Sequence, residues 1–251
     1  DTTIMIEEYN ELNKNLEILG LNKIKEELSK NLDKNIFDNS QLIPFLNYMF
    51  KQEIEFRDER AKEININVSN FPYKKRIEDF DFSFQPGLSK SKIMDLMTLR
   101  FIENQENIIF QGLPGTGKTM LSTCIGTEAA SNRISTYFIP CSKLLSELHK
   151  AYYENRLDRR LKQFCKYKLL IIDELGFLPI SKEDANLLFQ LIAMRYENKS
   201  TIITTNIEFS KWGETLHDPL IATAILDRLL HHCTVINIDG PSYRTKDINN
   251  D

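Results

Sequence analysis

Eight consecutive residues behind a short apolar run have the types and spacing that a chain of phosphates requires. Residues 112–119, GLPGTGKT, fit the pattern GxxxxGK[ST]. Glycines at these positions let backbone N–H groups turn towards phosphate oxygens, Lys118 can reach the β- and γ-phosphates, and the Thr119 hydroxyl can ligate Mg²⁺. The sequence therefore predicts a nucleoside triphosphate site that consists of Gly112, Leu113, Pro114, Gly115, Thr116, Gly117, Lys118, Thr119 and Met120.

The context of this loop separates a phosphate site from an ordinary glycine-rich turn, since the pattern also occurs by chance. Ile108, Ile109 and Phe110 precede the loop and predict a strand. Residues 118–131 are rich in small and apolar side chains and predict a helix that packs on a sheet. Because a phosphate loop joins a strand to a helix in this order, we favour the functional interpretation over a plain turn.

A second group of polar residues follows the apolar run 169–172, where Asp173 and Glu174 end the segment. Four consecutive apolar residues are typical of a central parallel strand, and α/β sheets place their ligands at the carboxyl ends of such strands. We expect Asp173 to join Thr119 in holding Mg²⁺ and Glu174 to polarise the attacking water. The alternative is a pair of acids that simply opens a turn.

A third run, residues 200–205, predicts another strand and ends at Asn206. The amide of Asn206 would then lie beside the acids at the end of the neighbouring strand, where it could hold the lytic water or the γ-phosphate. Without the two earlier motifs, Asn206 would be interpreted as an ordinary strand cap. The predicted catalytic group is therefore Lys118, Glu174 and Asn206.

Five segments together resemble the AAA+ ATPases, and specifically the IstB-like helpers of bacterial transposition, which are related to the DnaC helicase loaders. They are FIEN (101–104), NIIFQG (107–112), LIIDELG (170–176), STIITTN (200–206) and AILDRLLHH (224–232). The resemblance covers roughly residues 70–245 and, more weakly, the N-terminal helices. It implies ATP and Mg²⁺ as cofactors, hydrolysis of ATP, homo-oligomers with shared ATP sites on duplex DNA, and an IstA-like partner transposase.

The resemblance also implies roles for two arginines. Arg228 matches the catalytic finger that enters the ATP site of a neighbouring subunit, whereas the alternative is an arginine paired with Asp227 on a solvated helix face. Arg244 resembles the second sensor arginine and is expected at the nucleotide. Few residues follow the last predicted strand, 234–238, so we expect a truncated C-terminal lid.

The charge of the chain does not by itself indicate nucleic-acid binding, since 32 basic residues face 36 acidic ones and the formal net charge is −4. Phosphate contacts depend on a local basic surface, however, and residues 150–168 carry an excess of basic side chains. We predict contacts with the DNA backbone from this stretch, against the alternative of a solvated helix face. The predicted residues are Arg156, Arg159, Arg160 and Lys162.

The order of elements predicts an α/β fold with a parallel sheet of about five strands flanked by helices, and the resemblance implies that this is the AAA+ P-loop sheet. Residues 1–68 show helical apolar spacing and predict a small all-helical N-terminal domain, which the resemblance associates with partner or DNA contact. Residues 65–72 are expected to be a linker. Residues 69–251 are the expected AAA+ ATPase domain.

Several other features are expected to carry no chemistry. No apolar run reaches the length of a membrane span and no signal peptide is evident, so we expect a bacterial cytoplasmic protein without membrane contact. Cys124, Cys141, Cys165 and Cys233 lack CxxC spacing and are expected to be reduced thiols.

Three functions therefore remain open from the sequence. The preferred one is an ATP-dependent helper that assembles on duplex DNA and regulates or directs its transposase. The alternatives are a DnaC-like replicative helicase loader and a nucleotide-gated DNA-binding scaffold in which hydrolysis is incidental. Glu174 argues against the scaffold, because a pure switch can dispense with an acid that activates water.

Overall fold

The computed structural model describes residues 2–32 and 39–245. Contacts between Cα atoms divide the chain into a unit that ends at Glu63 and a unit that begins at Ile64. This division falls inside a long helix, whereas the sequence predicts a domain boundary between residues 68 and 69. That boundary stays a prediction, and the two units are described separately.

The first unit is helical. Its elements are α1 (Thr2–Ile18), α2 (Asn22–Leu32) and α3 (Asn39–Val68), the last of which continues into the second unit. Its core is small and contains the buried side chains of Leu12, Leu16 and Ile43. Beside this core, the Asn47 side chain donates a hydrogen bond to the carbonyl of Glu8 at 2.9 Å, which fixes α3 against α1.

The second unit is built on a sheet of five parallel strands in the order β2-β3-β4-β1-β5. The strands are β1 (Asn107–Gly112), β2 (Thr136–Pro140), β3 (Leu169–Leu175), β4 (Ser200–Thr205) and β5 (Cys233–Ile238). This architecture confirms the predicted α/β class with about five strands. Because all five strands are parallel, their carboxyl ends meet at one edge of the sheet.

Helices cover both faces of this sheet. They are α4 (Lys90–Leu96), α5 (Arg100–Glu103), α6 (Lys118–Ser131), α7 (Cys141–Tyr153), α8 (Leu157–Cys165), α9 (Lys182–Arg195), α10 (Trp212–Thr215) and α11 (Pro219–Leu230). After β5, the described part of the chain adds only a short 3₁₀ turn, Tyr243–Thr245. No helix in the described ranges has both the length and the apolar character of a membrane span.

The period of two along the strands assigns their side chains to two separate cores. Ile108 and Phe110 of β1 are fully buried with Leu121 of α6 on one face. Ile109, between them, belongs to the cluster of α7, α9 and α11 on the other face. Alternate residues of β1 thus pack on the helices of opposite faces, and β1 is buried on both sides where it leads into the loop 112–119.

The predicted linker at residues 65–72 is wrong in part. Helix α3 continues to Val68, and the next two residues bind the edge strand β2. The Phe138 N–H donates to the Ser69 carbonyl at 2.8 Å, and the Asn70 side chain donates to the Phe138 carbonyl at 2.9 Å. An edge strand has unpaired backbone groups, and these two residues satisfy both backbone groups of Phe138.

Arg195, near the end of α9, ties three segments of the sheet unit together from inside the core. Its buried guanidinium donates to the carbonyls of Phe164 (2.8 Å), Tyr167 (3.0 Å) and Ser200 (2.6 Å). Its Nε donates to the Thr201 hydroxyl at 3.0 Å. Burial lowers the pKa of Arg195 to about 10, so the group stays charged at neutral pH.

We expect Arg195→Met to lower the free energy of unfolding by about 3 kcal/mol or more, because several buried acceptors lose their donor at once. Urea denaturation measures this loss. Arg100→Met is the matched control, since the Arg100 side chain is 69% exposed and pairs with Asp95 at the surface. That control should change stability by less than about 0.5 kcal/mol. Equal effects of the two substitutions would contradict the structural role of Arg195.

Candidate nucleotide-binding site

The loop between β1 and α6 has a backbone that only glycine adopts readily at two positions. Gly115 and Gly117 have φ values of +81° and +98°, in the left-handed region. Space is also limited, since a Cβ on Gly117 would lie 2.7 Å from Cε2 of Phe80 and one on Gly115 would collide with the Ser242 hydroxyl. The glycines of the motif are therefore required by conformation and by packing.

Lys118, the first residue of α6, is held against the loop that precedes it. Its Nζ donates to the carbonyls of Gly112 at 2.7 Å and Leu113 at 2.6 Å. The side chain is buried, and this burial lowers the pKa of Lys118, an effect that the charge of Asp173 opposes. A second bond within the loop, from the Thr116 hydroxyl to the Leu113 carbonyl at 2.9 Å, fixes the same turn.

The two predicted magnesium ligands are in direct contact, although they lie 54 positions apart in the sequence. The Thr119 hydroxyl lies 3.0 and 3.2 Å from the two carboxylate oxygens of Asp173. Asp173 is buried and also accepts a hydrogen bond from the Thr204 hydroxyl at 2.5 Å. Burial raises the pKa of Asp173, and the bonds from Thr204 and Thr119 oppose that rise.

Glu174 faces a different direction from Asp173. Its φ of +59° places the backbone in the left-handed region, and its N–H donates to the Thr204 hydroxyl at 2.8 Å. The Glu174 side chain is exposed and lines a cavity that Asn206 also lines. The two acids therefore separate into a buried carboxylate at the loop hydroxyl and an accessible carboxylate at the cavity.

The cavity has a volume of about 270 Å³. The predicted residues that line it are Pro114, Gly115, Gly117, Lys118, Thr119, Met120, Glu174, Asn206 and Arg244. Of the other predicted cofactor residues, Gly112, Leu113 and Thr116 form the loop behind Lys118, and Asp173 meets the cavity through the Thr119 hydroxyl. The roles assigned to all these residues stay predictions.

Sequence reasoning missed part of the lining, namely Tyr73, Asp79, Phe80, Asp81, Phe177, Thr204, Thr205 and Tyr243. The closely spaced aromatic residues Phe80, Phe82 and Phe84 are the one sequence signal that could have indicated a wall for the adenine base. Tyr243 reaches the site through a backbone bond, because its N–H donates to the Gly115 carbonyl at 2.8 Å. This bond joins the tail to the phosphate loop and brings the exposed Arg244 to the cavity.

Arg228 does not line the cavity of its own chain. Its Nη1 donates to the Ala224 carbonyl of the same helix at 2.9 Å, and its guanidinium carbon lies 4.9 Å from the centroid of the Phe189 ring. In the described part of the chain these contacts, rather than an ion pair with Asp227, hold the side chain. Arg228 is half-buried and preoriented on the surface that α9 and α11 share.

The basic stretch carries less uncompensated charge than the sequence indicates. Arg156 pairs with Glu154, Arg160 pairs with Glu147, and Lys162 pairs with Asp158. The exposed Arg159 has no ion pair among the described residues. The Arg160 guanidinium also stacks on the Phe164 ring at 4.7 Å, so Arg160 serves packing within the chain. The DNA contacts of this stretch stay a prediction.

Solved structures share this fold. DnaI superimposes with a TM-score of 0.56 at 21% identity, over 66% of this chain and 91% of that chain. AMPPCP-bound DnaA from Aquifex aeolicus has a TM-score of 0.56 at 17% identity, over 72% of this chain and 55% of that chain. At such identities the likeness concerns the fold alone, which is the AAA+ P-loop fold.

Two relatives are similar in sequence over most of the chain. A protein of insertion sequence IS232 from Bacillus thuringiensis subsp. berliner is 50% identical over 239 residues, 95% of this chain and 96% of that protein. A protein of insertion sequence IS21 from Pseudomonas aeruginosa is 44% identical over 203 residues, 81% of this chain and 77% of that protein. The family model described as IstB-like ATP binding protein matches residues 12–250. The chain therefore belongs to the family of IstB-like ATP binding proteins.

Proposed function

We propose that this chain is a Mg²⁺-dependent ATPase that assembles on duplex DNA and regulates an IstA-like transposase. The observation that carries the ATPase proposal is the contact of the Thr119 hydroxyl with both carboxylate oxygens of Asp173. This contact joins the phosphate loop to the acid at the end of β3. Lys118 and Glu174 line the adjacent cavity, so the groups that phosphoryl transfer needs converge on one volume.

The donor set fits magnesium. A hydroxyl oxygen and a carboxylate oxygen are the hard ligands that Mg²⁺ prefers, and Thr119 and Asp173 supply them. When bound, the ion would neutralise charge on the β- and γ-phosphate oxygens. Lys118 adds a fixed positive charge for the same oxygens, and the loop N–H groups orient the phosphate chain.

The remaining groups act on water. Glu174 is exposed at the cavity, where its carboxylate can orient and polarise the attacking water by accepting a hydrogen bond from it. Asn206 at the end of β4 offers an amide to the same water or to the γ-phosphate. Arg228 lies outside its own cavity, which supports its assignment as a finger that completes the site of a neighbouring subunit.

Transposition is the context that the relatives support. Two proteins named for insertion sequences are 50% and 44% identical to this chain, whereas the solved structures of DnaI and DnaA share only the fold. We infer that duplex DNA and a transposase are its partners. Because these partners act on the bacterial chromosome, we propose that the reaction occurs in the bacterial cytoplasm. The N-terminal helical unit is the proposed region for contact with one of these partners.

The ATPase proposal is tested with Glu174→Gln and Lys118→Ala. Glu174→Gln should retain ATP binding and lower turnover roughly 100-fold or more, because only the activation of water is lost. Lys118→Ala should lose binding of a fluorescent ATP analogue. Phosphate release and analogue binding are the two measurements. Normal turnover by Glu174→Gln would remove that residue from the mechanism, and unchanged binding by Lys118→Ala would remove the phosphate loop.

The trans role of Arg228 is tested by mixing variants. Arg228→Ala should be about tenfold or more below the wild type, and Glu174→Gln should show the loss given above. Their mixture should regain activity at interfaces that combine an intact Glu174 with an intact Arg228. Glu174→Gln mixed with Lys118→Ala is the control, since no interface in that mixture contains a fully competent nucleotide site. No recovery in the first mixture, with assembly intact by light scattering, would contradict a finger in trans.

The DNA proposal is tested by ATP hydrolysis and light scattering with and without random-sequence duplex. Duplex should stimulate both hydrolysis and assembly. Arg159→Glu combined with Lys162→Glu should weaken binding and lower the slope of log affinity against log salt by about 1 per lost phosphate contact. Arg100→Glu is the control at an exposed arginine elsewhere. A response to single strands or a replicative helicase alone would favour the loader instead.

A further inference from the structure

The two acids of the site occupy a bulge in the sheet. Ile172 pairs with Ile203, and the next pair is Leu175 with Thr205, so two residues of β3 face the single residue Thr204 of β4. An extra residue of this kind interrupts the ladder and redirects the side chains beside it. The redirected residues here are Asp173 and Glu174.

Threonine hydroxyls satisfy backbone groups that the bulge removes from the ladder. The Glu174 N–H donates to Thr204 Oγ1 at 2.8 Å. Thr205 Oγ1 donates to the Leu175 carbonyl at 2.9 Å. Both threonines are fully buried, and these bonds replace ladder bonds that the bulge interrupts.

The direction of the hydrogen bonds at Thr204 is fixed. Its oxygen accepts from the Glu174 N–H, and its one hydroxyl proton is left for Oδ1 of Asp173, 2.5 Å away. The hydroxyl therefore joins the buried acid to the backbone of the exposed acid. Thr119, from the phosphate loop side, is the other hydroxyl on the same carboxylate.

The backbone of Glu174 needs such support. Its φ of +59° is uncommon for a residue with a side chain, and conformations of this kind persist where surrounding contacts hold them. The Thr204 hydroxyl is one such contact, and it comes from β4, the strand that Asn206 follows. One buried side chain thus sets the positions of both acids relative to that strand.

We propose that Thr204 is the positioning residue of the site: its hydroxyl fixes the Asp173 carboxylate towards the magnesium position and turns the Glu174 side chain towards the cavity. This inference rests on the proposed ATPase. Thr205 is the matched contrast, because it is equally buried and also binds across the bulge, yet its hydroxyl donates to the Leu175 carbonyl.

The test compares Thr204→Val, which removes the hydroxyl at constant shape, with Thr204→Ser, which keeps it. Thr204→Val should lower kcat about tenfold or more and raise the Mg²⁺ concentration for half-maximal turnover to a similar degree, because a charged acceptor loses a donor. Affinity for ATP without Mg²⁺ should stay unchanged, since Lys118 and the loop are intact. Thr204→Ser should recover to within about threefold of the wild type, and Thr205→Val should have the smaller effect of a lost neutral bond.

Several outcomes would overturn the proposal. Wild-type kcat and Mg²⁺ requirement in a folded Thr204→Val variant would do so, as would a Thr204→Ser variant impaired to the same degree, which would assign the effect to shape. Thr204→Ala is the second variant without a hydroxyl, and failure of both such variants to fold would make Thr204 a folding residue only. If the wild type binds ATP but releases no phosphate, the ATPase proposal fails. The Mg²⁺ concentration that nucleotide binding requires then tests Thr204, and it should rise most in Thr204→Val and less in Thr204→Ser and Thr205→Val.

Discussion

The buried carboxylate of Asp173 is the group on which the arrangement of the site depends. A desolvated charge is costly unless hydrogen bonds compensate for it, and the two hydroxyls that do so come from different segments. Thr119 belongs to the start of α6, and Thr204 belongs to β4. Both can reach the carboxylate only if β1, β3 and β4 end side by side, so the sheet order and the position of the acid constrain each other.

The parts of this site that the sequence predicts are those with local patterns. Helix α6 has the same bounds as the predicted helix, residues 118–131, and β4 has the bounds of the predicted strand, 200–205. The helix follows from its small and apolar side chains, and the strand follows from consecutive β-branched isoleucines and threonines. The meeting of Thr119 with Asp173 also follows, because parallel strands place their carboxyl ends at one edge.

The remaining parts depend on contacts between segments distant in the chain, which no local pattern encodes. Tyr243 reaches the phosphate loop by a backbone bond to Gly115, for which side-chain type is no guide. The sequence predicts DNA contacts for the basic stretch, but it does not indicate that Arg160 pairs with Glu147 from the preceding helix. The bulge at Glu174 cannot be predicted from the sequence for the same reason. Its one extra residue is defined only by the pairing of β3 with β4.

The contacts of Arg195 and Arg228 join α9 to both β4 and α11. Arg195 locks α9 to the start of β4, and Arg228 rests on Phe189 of the same helix. If Arg228 acts in the site of a neighbouring subunit, as proposed, a force on Arg228 would reach α9 and, through it, β4, whose far end carries Thr204 and is followed by Asn206. The nucleotide state of one subunit would then change the strain in the sheet of the next. Cooperativity between the two ATP sites would require no further element to connect them.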